Sequence, residues 1–271
     1  MKKQNNSFLS KLKSAFAILT IVVLITVAHL IYYFVLGNPA NFEGGNPDNH
    51  PLPGNYLGIV YKGGVIVPFL MSFFMMVFTF SLERFFTITL ASGRGSISEF
   101  VRKIKSHLDT NNITAAIAEC DKQKGSVGNV IRAVLEKYKE LADDTSFDKE
   151  QKVAALQKEL EDATSLELPM LEKNLVVIAT LASVSTLVGL LGTVIGMIRA
   201  FAALAQAGSP DSVALANGIS EALINTALGI ASSALAIITY NYFTSKIDAL
   251  SYSIDEAGFS IIQSFNANVK A

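Results

Sequence analysis

Cysteine, tryptophan and recognisable catalytic motifs are scarce or missing in this sequence. The 271 residues include one cysteine, Cys120, and no tryptophan, so an intrachain disulfide is excluded. There is no GxSxG, HExxH, CxxC or Walker phosphate-binding motif, and the histidines lie far apart in sequence: His29, His50 and His107. We therefore expect no enzyme, no metal site and no cofactor.

A surplus of charge of either sign is also missing. Lysine and arginine together number 22 and aspartate and glutamate 23, for a formal net charge of -1. Nucleic-acid binding depends on a basic surface, so we expect no nucleic-acid partner. Apolar residues are abundant instead, at 51% of the chain, which is more than an ordinary soluble protein carries.

The apolar residues are grouped in four long runs. A bilayer core of about 30 Å requires roughly 20 helical residues, and four runs meet or approach that length: Ala15–Leu36, Val65–Leu82, Leu175–Ala205 and Ala214–Phe243. The first run is longer than the apolar core of a signal peptide, so we expect it to remain as a membrane anchor. The sequence therefore predicts an all-α polytopic membrane protein in contact with lipid.

The distribution of basic residues predicts an orientation, because lysine and arginine concentrate on the cytoplasmic side. Four lysines precede the first run and many basic residues lie between the second and third, whereas the two other loops have almost none. Both termini are therefore predicted to be cytoplasmic. The predicted segments are a cytoplasmic N-terminus (1–14), spans at 15–36, 65–90, 174–205 and 214–243, periplasmic segments at 37–64 and 206–213, a cytoplasmic helical domain (91–173) and a cytoplasmic C-terminal tail (244–271).

The predicted cytoplasmic domain has helical periodicity rather than long apolar runs. Asn112 is suited to cap a helix, and we expect Gly125–Gly128 to break the chain between two further helices. No strand pattern is present. One buried helical stripe is predicted from apolar residues at the i, i+3, i+4, i+7 spacing: Ile97, Phe100, Val101, Ile104 and Leu108.

The third predicted span has one face of small and hydroxylated residues. At about 100° per residue, five of them fall within about 140° of one another on a helix: Ser183, Thr186, Gly189, Thr193 and Gly196. Small residues let helices approach closely, and hydroxyl groups bond across an interface or line water. Helix packing and a water-lined path are both consistent with this face.

The fourth predicted span contains an acid, Glu221. An ionisable group at the centre of a span costs roughly 2.5 to 3.5 kcal/mol on insertion scales unless it is paired, hydrated or protonated. On a straight helix Asn225 and Ser232 lie within about 40° of Glu221, whereas Thr226 lies about 140° away. We therefore expect Glu221 and Thr226 to address different neighbours.

Arg199 offers one explanation for the buried acid. It lies about as far before the turn between the last two spans as Glu221 lies after it, so the two residues reach similar depth. An ion pair there would keep the carboxylate charged and act as a structural clamp. Arg199 could instead extend to the outer interface. Spacing alone leaves the clamp and a proton path equally supported.

Two strings of residues resemble the ExbB/TolQ/MotA proton-channel family, and ExbB most closely. They are LEKNLVVIATLASVSTLVGLLGTVIGMIRAF (171–201) and GISEALINTALGIASSALAIITYNYF (218–243), with GLLGTV followed by EAL-x-x-TA-x-G. The cytoplasmic region matches weakly, through AECDKQKGSVGNVIRAVLE (118–136). Family members often have proline shortly before GLLGTV, where this chain has Thr186. ExbB usually has three spans, whereas four spans is the arrangement of flagellar stators.

This resemblance implies a homo-oligomeric ring, usually a pentamer, in the inner membrane of Gram-negative bacteria. Such a ring surrounds helices of a single-span ExbD-type partner whose aspartate carries protons, and it energises a TonB-type protein. By position, Glu221, Thr193 and Thr226 would line the pore, with Thr186, Asn225, Arg199 and Ser232 as secondary candidates. The alternatives are another stator of the same superfamily, for TolQ-like envelope maintenance or for a flagellar or gliding motor, and a structural membrane scaffold clamped by Glu221 and Arg199.

Overall fold

The computed structural model describes residues 17–144, 146–205 and 211–268. Within these ranges the chain is helical and has no strand beyond the isolated bridge between Phe42 and Pro51, which confirms the predicted all-α class. The helices described there are α1 (Ala17–Leu36), α2 (Tyr56–Tyr61), α3 (Val67–Ala91), α4 (Ile97–Asp109), α5 (Ile113–Gln123), α6 (Gly125–Asp143), α7 (Lys149–Glu172), α8 (Leu175–Leu204) and α9 (Ser212–Asn268).

Four helical stretches in the described ranges are long and apolar enough to cross a membrane, which confirms the polytopic prediction: Ala17–Leu36, Gly64–Ala91, Lys149–Leu204 and Ser212–Asn268. The predicted segment 1–14 and most of the predicted turn 206–213 lie outside the described residues. The side of the membrane on which each segment lies stays a prediction.

Internal contacts divide the chain into two units. The first unit contains the described residues up to Ser81 together with Val176–Tyr240. The second contains Leu82–Leu175 together with the described residues from Asn241 onward. Helices α3 and α9 therefore contribute residues to both units.

The second unit is built like the core of a soluble helical protein. The predicted stripe on α4 is confirmed, because its last four members are buried and Ile97 is half-buried. Helix α6 buries a row of apolar residues, and its Tyr138 ring packs edge-on against Phe265 of α9 with ring centroids 4.8 Å apart. Burial of such apolar area supplies most of the stabilisation of a helical domain.

Local capping decides where the helices of this second unit begin. The Asn112 side chain accepts a hydrogen bond from Ala115 N at 3.1 Å, so the predicted cap of α5 is confirmed. The predicted break at Gly125–Gly128 is wrong: the chain breaks one residue earlier, at Lys124, and α6 begins at Gly125. Lys124 has a φ of 58°, and this left-handed turn lets α6 start without a further loop.

The first unit depends on close contact between the backbones of α8 and α9. A Cβ on Gly196 would lie 2.6 Å from Ala222 N, and one on Gly189 would lie 3.0 Å from Gly229 Cα. No real Cβ fits at such distances, so glycine is required where the two helices meet. Part of the predicted small face of α8 is therefore a packing surface.

Side-chain hydrogen bonds within the first unit hold the segment between α1 and α3 in place. Asn41 Nδ2 donates to the carbonyls of Val35 and Leu36, at 2.8 and 2.9 Å, at the end of α1. The Tyr32 ring stacks on Tyr61 with centroids 4.7 Å apart, and its hydroxyl donates to the Tyr61 carbonyl. The segment ends in the Gly63–Gly64 pair, just before α3.

Candidate functional site

Glu221 and Arg199 form an ion pair between α9 and α8. Arg199 Nη1 donates to both oxygens of the Glu221 carboxylate, at 2.8 and 2.7 Å. The Glu221 side chain is 5% exposed, whereas that of Arg199 is 52% exposed. The acid therefore lies inside the unit and its counter-ion lies at the surface of α8.

The carboxylate of Glu221 also lies directly against the backbone of Gly64. A Cβ added to Gly64 would lie 2.9 Å from Glu221 Cδ and would overlap Oε1. Gly64 has a φ of +76°, a conformation that residues with a side chain rarely adopt. Only glycine satisfies both constraints, so this position lets the chain before α3 cover the acid.

Asn225 lies one turn after Glu221 on α9 and is fully buried. Its Nδ2 donates to the Gly63 carbonyl at 2.8 Å, and its side chain packs on Gly192, where a Cβ would lie 2.6 Å from Asn225 Cγ. Because a carbonyl only accepts hydrogen bonds, this contact assigns nitrogen and oxygen of the amide. The buried Oδ1 has no hydrogen-bond partner among the described residues.

Thr193 of α8 and Thr226 of α9 meet across the helix interface. Their hydroxyl groups are hydrogen-bonded to each other, and Thr226 Oγ1 also lies 3.0 Å from the carbonyl of Ala222. Both threonines are half-buried. The structure thus brings together the two hydroxyl groups that the family resemblance predicts to line a pore.

Two of the secondary candidates lie apart from the ion pair. Ser232 is buried and donates to the Leu228 carbonyl of its own helix at 2.9 Å. Thr186 is half-buried, two turns before Thr193 on α8. Neither is hydrogen-bonded to Glu221 in the part of the chain that the structure describes.

The hydrogen bonds of Glu221 and Thr226 do not separate as expected, because both are made with residues of α8, although Glu221 also lies against the Gly64 backbone. The long arginine side chain reaches around the contact line between the helices, so an acid and a threonine about 140° apart on α9 both find partners on α8. Pore lining by Glu221, Thr193 and Thr226 stays a prediction, since the structure contains one chain.

Gly63 and Gly64 were not among the sequence candidates. The composition around them predicts a loop. The residues that they contact, Asn225 and Glu221, lie about 160 positions further along the chain. The available signal was a glycine pair placed directly before a span, at a depth where α9 carries Glu221 and Asn225. Glycine at such a place indicates a close backbone approach.

The geometry supports two kinds of chemistry. In the ion pair a half-exposed guanidinium compensates a buried carboxylate, and access to that carboxylate requires the guanidinium or the Gly64 backbone to move away. The threonine hydroxyls can accept and donate hydrogen bonds in turn, as a path for protons or water requires.

Comparison with known proteins agrees with the two resembling strings. Residues 122–256 match the model of the MotA/TolQ/ExbB proton channel family. The chain is 27% identical over 161 residues to the Tol-Pal system protein TolQ of Pseudomonas aeruginosa, a match that covers 59% of this chain and 70% of that protein.

Two further relatives carry the ExbB name. The chain is 32% identical over 85 residues to the biopolymer transport protein ExbB of Salmonella typhimurium, covering 31% of this chain and 35% of that protein. It is 26% identical over 200 residues to a putative biopolymer transport protein ExbB homolog of Methanothermobacter thermautotrophicus, covering 72% of this chain and 65% of that protein. Most matches thus span less than two thirds of the relative.

Proposed function

Since residues 122–256 belong to the MotA/TolQ/ExbB proton channel family, we propose that this chain is an ExbB-like subunit of an ion-driven motor in the bacterial inner membrane. In this proposal several copies, five by analogy, form a ring around a single-span ExbD-type partner. Proton flow through the ring energises a TonB-type protein and, through it, transport across the outer membrane. Both termini of the chain face the cytoplasm.

The observation that carries this proposal is the set of polar groups between α8 and α9. Glu221, Arg199, Thr193 and Thr226 all lie within the family-matched residues, in helices that are otherwise apolar. Polar and ionisable groups are costly in a membrane and are characteristic of ion pathways. The half-exposed Arg199 presents a positive charge on α8 that a neighbouring helix or water must meet.

In the proposed mechanism the partner's aspartate carries the proton, and Glu221 sets the charge of the path beside it. The Thr193–Thr226 hydroxyl pair supplies hydrogen bonds along that path. Glu221 is buried and already paired, which favours this tuning role over that of the carrier itself. Arg199 balances its charge.

The substitution Glu221→Gln tests the proposal, because it keeps the size and removes the charge. We expect the variant to assemble and to co-purify with a single-span partner, while energised uptake falls at least tenfold in a strain that lacks its own ExbB-type subunit. Glu172→Gln, an exposed carboxylate at the end of α7, is the matched control and should retain uptake. A chain that purifies only as a lone monomer would contradict the proposal.

A structural scaffold clamped by Glu221 and Arg199 predicts a different result. Glu221→Gln and Arg199→Gln would then each weaken assembly, and the double variant would be no worse than either, as expected for residues in contact. Normal assembly of Glu221→Gln together with lost uptake excludes the scaffold.

A TolQ-like role in maintaining the cell envelope is the second candidate. The 161-residue match to the Tol-Pal system protein of Pseudomonas aeruginosa favours it, since that match is nearly twice as long as the one to ExbB of Salmonella typhimurium. Complementation in two strains, one lacking TolQ and one lacking ExbB, separates the roles. Rescue of detergent resistance without rescue of uptake would assign the chain to the TolQ type.

A further inference from the structure

The Gly63–Gly64 turn covers the acid of the candidate site. On one side, the Glu221 carboxylate faces Arg199, and on the other it lies against the Gly64 backbone. Gly63 packs on α9 as well, since a Cβ there would lie 2.8 Å from Ile224 Cγ2. Water or an ion that approaches Glu221 from the side of the turn must first displace these two glycines.

One side chain holds the turn against α9. Asn225 Nδ2 donates to the Gly63 carbonyl, and the Asn225 side chain packs against Gly192 of α8, which restricts its position. Asn225 is therefore connected to both the turn and the helix pair. Its position one helical turn from Glu221 lets it place the turn over the carboxylate.

The closed arrangement leaves a buried acceptor unsatisfied. Asn225 Oδ1 is inaccessible and has no hydrogen-bond donor among the described residues. Such an acceptor loses its hydration without compensation, which destabilises the closed state. Water that entered beneath a lifted turn would supply the missing donor, so the open and closed arrangements differ less in free energy than the buried area alone would indicate.

The turn also lies outside the part of the chain that matches the family. The matched residues begin at position 122, whereas Gly63 and Gly64 belong to the segment between α1 and α3. The residues of the ion pair and Asn225 fall inside the match. A contact between these two parts of the chain brings a separate segment to the family's polar site.

We propose that the Gly63–Gly64 turn is a movable cap on Glu221 and that Asn225 is the positioning residue that holds it closed. This inference rests on the proposed function, because it concerns access of ions and water to the same site. The cap lifts to hydrate the Glu221–Arg199 pair and closes to shield it. Glycine at both positions gives the turn the freedom to move and the close approach that closure requires.

A reversible disulfide tests whether the cap must move. A Cβ on residue 63 would lie 2.8 Å from Ile224 Cγ2, so Gly63→Cys and Ile224→Cys bring two thiols close enough to be joined by oxidation. Val67→Ala is added, because the Val67 side chain would overlap a Cβ at position 63. Gly63 has a φ of -66°, which residues with a side chain readily adopt, although a Cβ there would lie 3.1 Å from the Val60 carbonyl oxygen.

The two cysteines and Val67→Ala are introduced in a Cys120→Ser background, and the variant is measured in the complex with the single-span partner. Burial raises the pKa of the Cys120 thiol to about 12, so this residue already reacts poorly, and its removal leaves the two new thiols as the only ones in this chain. Proton flux is followed with a pH-sensitive dye in proteoliposomes. We expect oxidation to lower the flux at least tenfold and reduction to restore it.

The matched control carries Gly63→Cys and Val67→Ala with Ile224 unchanged, and its flux should not respond to oxidation. Undiminished flux through a fully cross-linked complex would overturn the cap. If the unaltered complex conducts no protons, or if Glu221→Gln conducts like the unaltered complex, the proposed function fails instead. The two failures are therefore distinguishable.

A second variant tests the cap if the Gly63→Cys, Ile224→Cys, Val67→Ala variant does not conduct protons even when its thiols are reduced. Asn225→Ala removes the tether, and we expect resting proton leak through the complex to rise at least threefold while Asn225→Gln restores part of the closure. Ser72→Ala is the control, because Ser72 is a buried polar residue of α3 whose hydroxyl donates to the Phe69 carbonyl of its own helix. Leak equal to that of the unaltered complex in Asn225→Ala would contradict the proposal.

Discussion

The two units of this protein each contain an arginine–glutamate pair in apolar helices, and the two pairs are built differently. In the second unit Arg84 and Glu83 are neighbours on α3, and Arg84 is 3% exposed. In the first unit the acid is the buried member, and Arg199 is half-exposed. The position of the arginine decides how each pair can respond to its surroundings.

The Arg84 pair is saturated with hydrogen bonds. Arg84 Nη1 donates to the carbonyls of Met170 and Leu171, at 3.2 and 2.9 Å, in the last turn of α7. Those carbonyls lose their helical partners where α7 ends, and a guanidinium is well suited to replace them. Glu83 also accepts hydrogen bonds from Asn174 and Thr87. A pair with so many partners is a clamp.

The Glu221 pair has fewer partners. One nitrogen of Arg199 supplies both hydrogen bonds to the carboxylate, and the rest of the contact is packing against Gly64. The comparison indicates that a buried ionised side chain is held rigidly when several parts of the chain hydrogen-bond to it. It can change position more easily when one side chain and a glycine turn are its neighbours.

Loss of Arg84 should have the largest effect on folding. Arg84→Met removes the counter-ion of Glu83 and the donor to two carbonyls, and breaking a buried pair costs about 3–5 kcal/mol. The free energy of unfolding in detergent, measured by denaturant titration, should fall accordingly. Arg132→Met is the control, because the Arg132 side chain is exposed and should contribute little. Equal unfolding free energies of the two variants would contradict the conclusion that the Arg84–Glu83 pair is a clamp.

A side chain at Gly196 should have the next largest effect, and it tests how the first unit packs. Gly196→Leu forces α8 away from Ala222 and Gly218, where the backbones are in contact, at a cost of about 1–3 kcal/mol. The same leucine at Ala202, an exposed position of α8, should be tolerated. Thermal unfolding of both variants gives the measurement, and an unaffected Gly196→Leu would show that backbone contact is dispensable.

The threonine pair should have the smallest effect on stability. Removing the Thr193–Thr226 hydrogen bond with Thr193→Val and Thr226→Val should cost about 0.6 kcal/mol of coupling, the average for such bonds inside membranes. A double-mutant cycle on the unfolding free energy measures it. A coupling energy of several kcal/mol would show that the threonine pair stabilises the fold as strongly as Arg84 does. The first unit would then also contain a clamp, contrary to the comparison.

Much of the architecture could be predicted from local patterns. Apolar runs predicted the spanning helices, and the apolar stripe on α4 and the Asn112 cap depend on residues a few positions apart. The depth of Arg199 and Glu221 followed from counting residues on either side of one turn. What counting left open was whether the two residues pair, and the side-chain geometry shows that they do.

Long-range contacts could not be predicted in this way. Arg84 meets Leu171 across 87 positions, and Asn225 meets Gly63 across 162. Nothing in the local sequence of either partner identifies the other, because hydrogen bonds of this kind depend on how whole helices are placed. The helix break was also missed by one position, because the backbone turns at Lys124 and Gly125 and the helix then runs on through Gly128.

The sequence by itself determined that the protein is helical and membrane-spanning and that an acid in the last span needs compensation. These conclusions need only helical geometry and the cost of charge in hydrocarbon. The tertiary structure decided how that compensation is made, with Arg199 at the surface of α8, the Gly63–Gly64 turn against the carboxylate and Asn225 joining turn and helix. The close approach of two backbones depends on how the helices pack. A glycine in the sequence therefore does not identify the residue that will lie against it.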